Sequence, residues 1–249
     1  FEDVSDKGPD AAAARAPAPR PGEADARRRA ARRSIAIWLF VLAGLVAGMV
    51  FVGGLTRLTD SGLSITEWKP ITGALPPLSA EDWQAEFDLY RASPEYKLVN
   101  SGMTLAEFEF IYWWEWGHRQ LGRLVGLVWA AGFFWFLARG MIPAGWTWKL
   151  ILPGALGGVQ GAIGWWMVAS GLEGTMVDVA SYRLATHLGL AVAIFGLLLH
   201  LAWTVRLSGA DLLQARRRRM PGPMRFASIL AGAIFAQILL GALVAGIDA

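Results

Sequence analysis

Apolar residues run along the chain in five blocks, Ile35–Leu55, Trp113–Ala138, Trp148–Ala169, Tyr182–Val205 and Phe226–Ile247, with polar residues opening the second and fourth. Each is close to the ~20 residues that carry a helix across a bilayer. The pattern therefore predicts an all-α fold, a polytopic transmembrane helical bundle of four spans (residues 35–205) with a fifth following (226–249). Residues 1–34 include APAPRPGEADARRRAARR and have too few apolar positions to drive folding, which predicts a disordered tail. Residues 56–112 form the long polar connection, and the others are short. Its first part, TRLTDSGLSITEWKPITGALPP, reads as an ordered loop rich in Gly, Pro and Thr. Next, SAEDWQAEFDLYR opens with Ser79 and an acidic first turn and spaces Trp83, Phe87 and Tyr90 along one helical face, predicting a surface amphipathic helix over 79–91. A second short helix is expected from about Thr104, leading into span 2.

Composition supports the membrane reading: 55% of residues are hydrophobic and 17% charged, against about a quarter charged in soluble domains. With no cysteine, disulfides, thiolate metal sites and thiol catalysis are excluded. The net charge of +3 says less than its placement. Arg27, Arg28, Arg29, Arg32 and Arg33 precede span 1, and Arg206, Arg216, Arg217, Arg218, Arg219 and Arg225 fill the 206–225 connection, whereas the 56–112 loop carries nine acidic and four basic residues. Positive charge marks the cytoplasmic side. The expectation is a multi-pass protein of a bacterial inner membrane, with a cytoplasmic N-terminus and 206–225 connection and a periplasmic long loop. Beside a span, the Arg216–Arg219 run reads as a topology signal, with the lipid bilayer and no nucleic acid as partner.

The three histidines, His118, His187 and His200, all lie in or at the edge of spans, where ionisable side chains are rare and usually functional. His118 and His187 each sit about five residues into a span from its outer end, on helices that run in the same direction. Matched depth on parallel helices suits two imidazoles that face each other across a haem. Two unrelated histidines bonding between helices are the alternative, and zinc is disfavoured without cysteine or clustered carboxylates. His200, thirteen residues after His187, lies near the inner end and about 220° around the helix, and reads as an interfacial polar residue.

Span 2 opens YWWEWGHRQLGRLVG. Glu115 and His118 share a face at i,i+3, and Gly122 and Gly126 follow His118 at i+4 and i+8, which leaves room for something flat. Glu115 is a candidate for proton handling, or else a structural partner of Arg119 or Arg183. Arg119 and Arg123 suit haem propionates or lipid headgroups. In span 3, Gly154, Gly157, Gly158, Gly161 and Gly164 fall at small-xxx-small spacing, which favours close helix packing or a cofactor against bare backbone.

These segments resemble the haem A synthase family, in its proteobacterial and mitochondrial branch. The resemblance is carried by GGLTRLTDSGLSITEWKPITGALPPL, FIYWWEWGHRQLGRLVG, QGAIGWWMVASGL and SYRLATHLGLA, in order over about residues 35–205. It implies an eight-helix fold built from two similar four-helix halves, of which this chain holds the first half and the first span of the second. It also implies oxidation of the C8 methyl of haem O to a formyl, giving haem A for cytochrome c oxidase. Two successive hydroxylations would supply the oxygen from water. By motif, Glu115 matches the catalytic carboxylate, and His118 and His187 match the ligands of the reacting haem. Haem b is expected in the second half, with haem O synthase and an electron donor as partners. GGLTRLTDS at 53–61 aligns with GALVAGIDA at 241–249, an offset of 188 that fits span 5 opening a second repeat, so the sequence is expected to be the front portion of a longer protein. A bis-histidine cytochrome b that carries electrons is the competing reading, and a homo-oligomer is left open.

Overall fold

A computed structural model describes residues 21–247. Among these, five helices are long and apolar enough to cross a membrane: α1 (Pro21–Leu58), α4 (Leu105–Ala138), α5 (Thr147–Gly171), α6 (Ser181–Thr204) and α8 (Pro221–Ala245). Three shorter helices lie between them, α2 (Ala80–Arg91), α3 (Pro94–Leu98) and α7 (Gly209–Arg217). Large apolar side chains such as Phe51, Leu127, Trp135 and Phe226 point outward from the long helices, as the hydrocarbon of a bilayer requires and water forbids.

The four helices α1, α4, α5 and α6 close a ring in which α1 touches α4 and α6, and α5 touches α4 and α6. The two histidine-bearing helices, α4 and α6, thus stand across the ring from each other. Helix α8 packs outside it, against α6. At its end Arg57 of α1 donates to the Ala245 carbonyl at 3.1 Å, a pair separated by the 188 residues of the sequence repeat.

Two tryptophan–glycine locks set the helix spacing. Trp38 of α1 donates its indole N–H to the Val128 carbonyl of α4 (2.9 Å), and its ring fills the space where Gly132 lacks a side chain. Trp129 of α4 repeats this on α5, donating to the Leu150 carbonyl (3.0 Å) with its ring against Gly154. In each lock the glycine lies one turn beyond the accepting carbonyl, so bare backbone admits the ring whose N–H needs a partner. The apolar core (Ile35, Leu39, Leu42, Phe136, Leu198 and Val205 among others) collects at the end of the ring away from the long loop.

Three boundaries differ from the sequence reading. Residues 21–34 are helical rather than disordered, while residues 1–20 lie outside those described. The Ala- and Arg-rich run after Pro21 has high helix propensity and continues an existing span, so no new nucleus is needed. Arg32 anchors it by donating to the Val205 and Leu207 carbonyls at the end of α6 (3.1 and 3.0 Å). The helix expected at Thr104 is the first part of α4 itself, because Thr104 caps it through a box with Glu107, and the 34 residues span about 51 Å. The 206–225 connection contains α7, capped by a Ser208–Asp211 box.

Helix α2 matches the expected amphipathic segment, including a Ser79–Asp82 capping box. Its Phe87 and Tyr90 pack with Phe108 and Tyr112 of α4 in a second, aromatic core above the bundle. Glu95 of α3 is buried in this layer, its Oε2 without a hydrogen-bond partner among the described residues. Burial pushes its carboxyl up to about 8; the Tyr90 hydroxyl opposes this, and the charges of Glu115, Asp178 and Asp60 add to it. Between the ordinary 4.5 and about 8 the folded protein therefore holds a proton that the unfolded chain releases. The stabilisation is complete below about 4.5 and is lost as pH rises towards about 8. Measured by thermal unfolding in detergent across this range, the stability of the parent relative to Glu95→Gln should fall as pH rises; a difference that does not change with pH would place Glu95 outside the titration.

Candidate functional site

At the loop end of the ring, α4 presents Glu115, His118, Arg119, Gln120 and Arg123 within about two and a half helical turns. Glu115 is buried, at 3% exposure. Its Oε2 accepts from the Ser64 hydroxyl (2.7 Å) and the Ile65 backbone N–H (2.8 Å), and its Oε1 from Arg119 Nε and Nη2 (3.1 and 2.6 Å). All four contacts use the carboxylate as an acceptor. Of the two arginines weighed as its partner, the structure selects Arg119; Arg183 instead bonds the Trp166 carbonyl and the Tyr182 hydroxyl.

Arg119 and its neighbours bind the loop by its backbone. Arg119 donates to the Ile65 and Glu67 carbonyls (2.8 and 3.1 Å), Gln120 to Ala74 (2.7 Å), and Arg123 to Pro70 and Lys69 (2.9 and 3.0 Å). A polar loop at a membrane boundary must satisfy its carbonyls, and guanidinium groups one turn apart do so along one stripe. The Trp68 ring of the loop stacks on Trp165 of α5 (centroids 5.9 Å apart), which closes the loop over the end of the bundle. Lys69 is held charged above its ordinary range by the Glu67 and Glu86 carboxylates, against the opposing effect of burial.

The two histidines occupy matched settings. A Cβ placed on Gly53 of α1 would lie 2.9 Å from His118 Cε1, and one on Gly164 of α5 would lie 2.8 Å from His187 Cε1. Each imidazole therefore rests flush on the backbone of the neighbouring helix, where only glycine leaves room. On the same two helices, α4 and α5, a Cβ at Gly126 or Gly157 would meet no atom within 4 Å, and one at Gly122 would meet only Met49 Cε at 3.7 Å. His118 Nδ1 is buried without a hydrogen-bond partner among the described residues, whereas His187 is met by Gln160 of α5. His200 is exposed towards the other end of α6, apart from both. Gly53 enters the sequence reading only through the repeat, and Gln160 only as the first residue of QGAIGWWMVASGL: their signal as site residues is spacing relative to a histidine on another helix, which appears only once neighbours are known.

A buried carboxylate and two imidazoles inside a ring of long apolar helices, beneath a loop pinned by arginines, define a multi-pass helical membrane protein with a built polar site. No group of three or more His, Asp or Glu residues able to hold a metal ion occurs among the described residues. The chain belongs to the COX15-CtaA family of cytochrome oxidase assembly proteins, whose sequence profile matches residues 36–249. A protein of Dinoroseobacter shibae named heme A synthase is 64% identical over 253 aligned residues, covering 100% of this chain and 64% of its own length. Proteins of the same name from Cereibacter sphaeroides (61% identical; 95% of this chain, 60% of theirs) and Paracoccus denitrificans (62%; 93% and 61%) are similar. The chain thus spans less than two thirds of the length of these relatives. No solved structure matches it.

Removing Arg119 would leave the Glu115 carboxylate buried without its counter-charge. Arg119→Leu should therefore cost about 3 kcal/mol and expose the loop to protease; adding Glu115→Gln should recover part of the loss. Unfolding curves and limited proteolysis of the two variants check this, and equal stability of Arg119→Leu and the parent would show that the pair holds nothing.

Proposed function

We propose that the protein acts as a haem A synthase, oxidising the C8 methyl of haem O to the formyl of haem A for cytochrome c oxidase assembly. The observation that carries this reading is the matched seating of His118 and His187 on Gly53 and Gly164, with Glu115 one helical turn from His118. The name shared by relatives at 61–64% identity supports it. The residues suit a haem: two imidazoles on opposite helices of a four-helix ring, a buried Nδ1 on His118 without a partner among the described residues, and glycines with open space beside them.

In this proposal His118 and His187 would hold the iron of the substrate haem, which would supply the redox chemistry. Glu115 is the proton-handling group. Its hydrogen bonds to Ser64, Ile65 and Arg119 keep the carboxylate oriented, so a proton taken up at either oxygen exchanges against a fixed set of donors. Arg119 and Arg123 supply positive charge for propionates. Their contacts to the loop, to Glu115 and to Gln120 occupy most of their N–H donors, so their main effect is to hold the lid and exclude water. The haem b expected of a second four-helix half would take ligands other than these two histidines. Haem O synthase as the source of substrate, an electron donor, a bacterial inner membrane and a periplasmic face for the histidines complete the proposal.

Reduced-minus-oxidised optical spectra of the purified protein should show haem bands, diminished by His118→Ala and by His187→Ala but not by His200→Ala. Glu115→Gln should keep the haem and form no haem A. Haem A formation unaffected by Glu115→Gln would remove the carboxylate from the chemistry, and haem binding without any haem A from the parent protein would favour a bis-histidine electron carrier.

A further inference from the structure

The two imidazoles are seated alike on glycine, yet their other sides differ. Gln160 lies four residues before Gly164 on α5, on the same helix face. Its Nε2 donates to the His187 backbone carbonyl at 2.9 Å and lies 3.2 Å from the ring Nδ1, the nearer ring nitrogen, and 3.5 Å from the ring Nε2. Its Oε1 is buried with no hydrogen-bond partner among the described residues. His118 has no such companion, and its buried Nδ1 is without a partner among the described residues.

We propose that Gln160 is a positioning residue that makes His187 the fixed axial ligand of the haem and leaves His118 as the exchangeable one. This rests on the haem reading of the site. An imidazole that ligates iron through one ring nitrogen carries its proton on the other, and an acceptor for that proton fixes the ring and raises its basicity as a ligand. Gln160 stands within reach of Nδ1 of His187. A shift of the Gln160 side chain that gives up the bond to the His187 carbonyl would let the unpartnered Oε1 accept from Nδ1–H. The corresponding proton of His118 finds no acceptor among the described residues, so the His118–iron bond is the weaker of the two. A haem held more firmly by His187 would be left the more open towards α4, the helix that also carries Glu115. The asymmetry thus puts the open position on the side of the carboxylate rather than across the ring from it.

The test uses the whole protein loaded with ferric protohaem, with haem retention, the electron paramagnetic resonance spin state and carbon monoxide binding after reduction as readouts. His118→Ala should keep at least half of the parent's haem in this site, in a high-spin state, and His187→Ala should lose most of it. The carbon monoxide adduct of the parent should match that of His118→Ala by resonance Raman. Gln160→Leu should change the low-spin signal and lower haem retention severalfold, and Gln160→Glu, which restores an acceptor, should bring both back. Equal haem loss from the two histidine variants, a parent adduct matching His187→Ala, or an unchanged low-spin signal in Gln160→Leu would each overturn the assignment while leaving the haem site in place. A parent protein that takes up no haem would overturn both.

Discussion

The loop end of this protein depends on one buried carboxylate. An ionised group taken out of water costs several kcal/mol unless charge and hydrogen bonds meet it. Glu115 is met from two directions, by Arg119 on its own helix and by Ser64 and Ile65 on the loop. The loop can therefore leave the bundle only by stripping two donors from a buried carboxylate. Arg119 couples the two halves of the arrangement, because the guanidinium that neutralises Glu115 also binds the Ile65 and Glu67 carbonyls. Lid, carboxylate and helix form one electrostatic unit, next to the histidines rather than remote from them.

Packing in the bundle is divided along its axis to match. Away from the loop, large aliphatic and aromatic side chains interdigitate and the Trp38 and Trp129 locks hold the helices at fixed spacing. Towards the loop, glycines replace them and the imidazoles lie on bare backbone. Large side chains fill one half of the bundle, and glycines face the imidazoles in the other. The same residue type does both jobs: Gly132 and Gly154 receive indole rings as structure, while Gly53 and Gly164 receive the candidate ligands.

Much of this is legible in the sequence because it is written locally. Span number and approximate limits follow from runs of apolar residues, and the start of α2 from Ser79 and Asp82 three positions apart. The depth of His118 and His187 follows from counting along helices, as does the shared face of Glu115 and His118. Local composition also misled: the Ala- and Arg-rich segment from Pro21 is polar enough to read as disordered, yet it extends α1 and bonds the end of α6 through Arg32.

By itself, then, the sequence determined the class of protein, the membrane-crossing elements, the family and the side chains that carry chemistry, since each depends on periodicity or spacing within one helix or motif. Only the tertiary structure decided the pairings: Glu115 with Arg119 rather than Arg183, the arginines turned to loop carbonyls, His118 on Gly53, and His187 on Gly164 beside Gln160. Those contacts join residues up to 65 positions apart, as between Gly53 and His118. They are set by which helices become neighbours and at what rotation, quantities that no local pattern encodes.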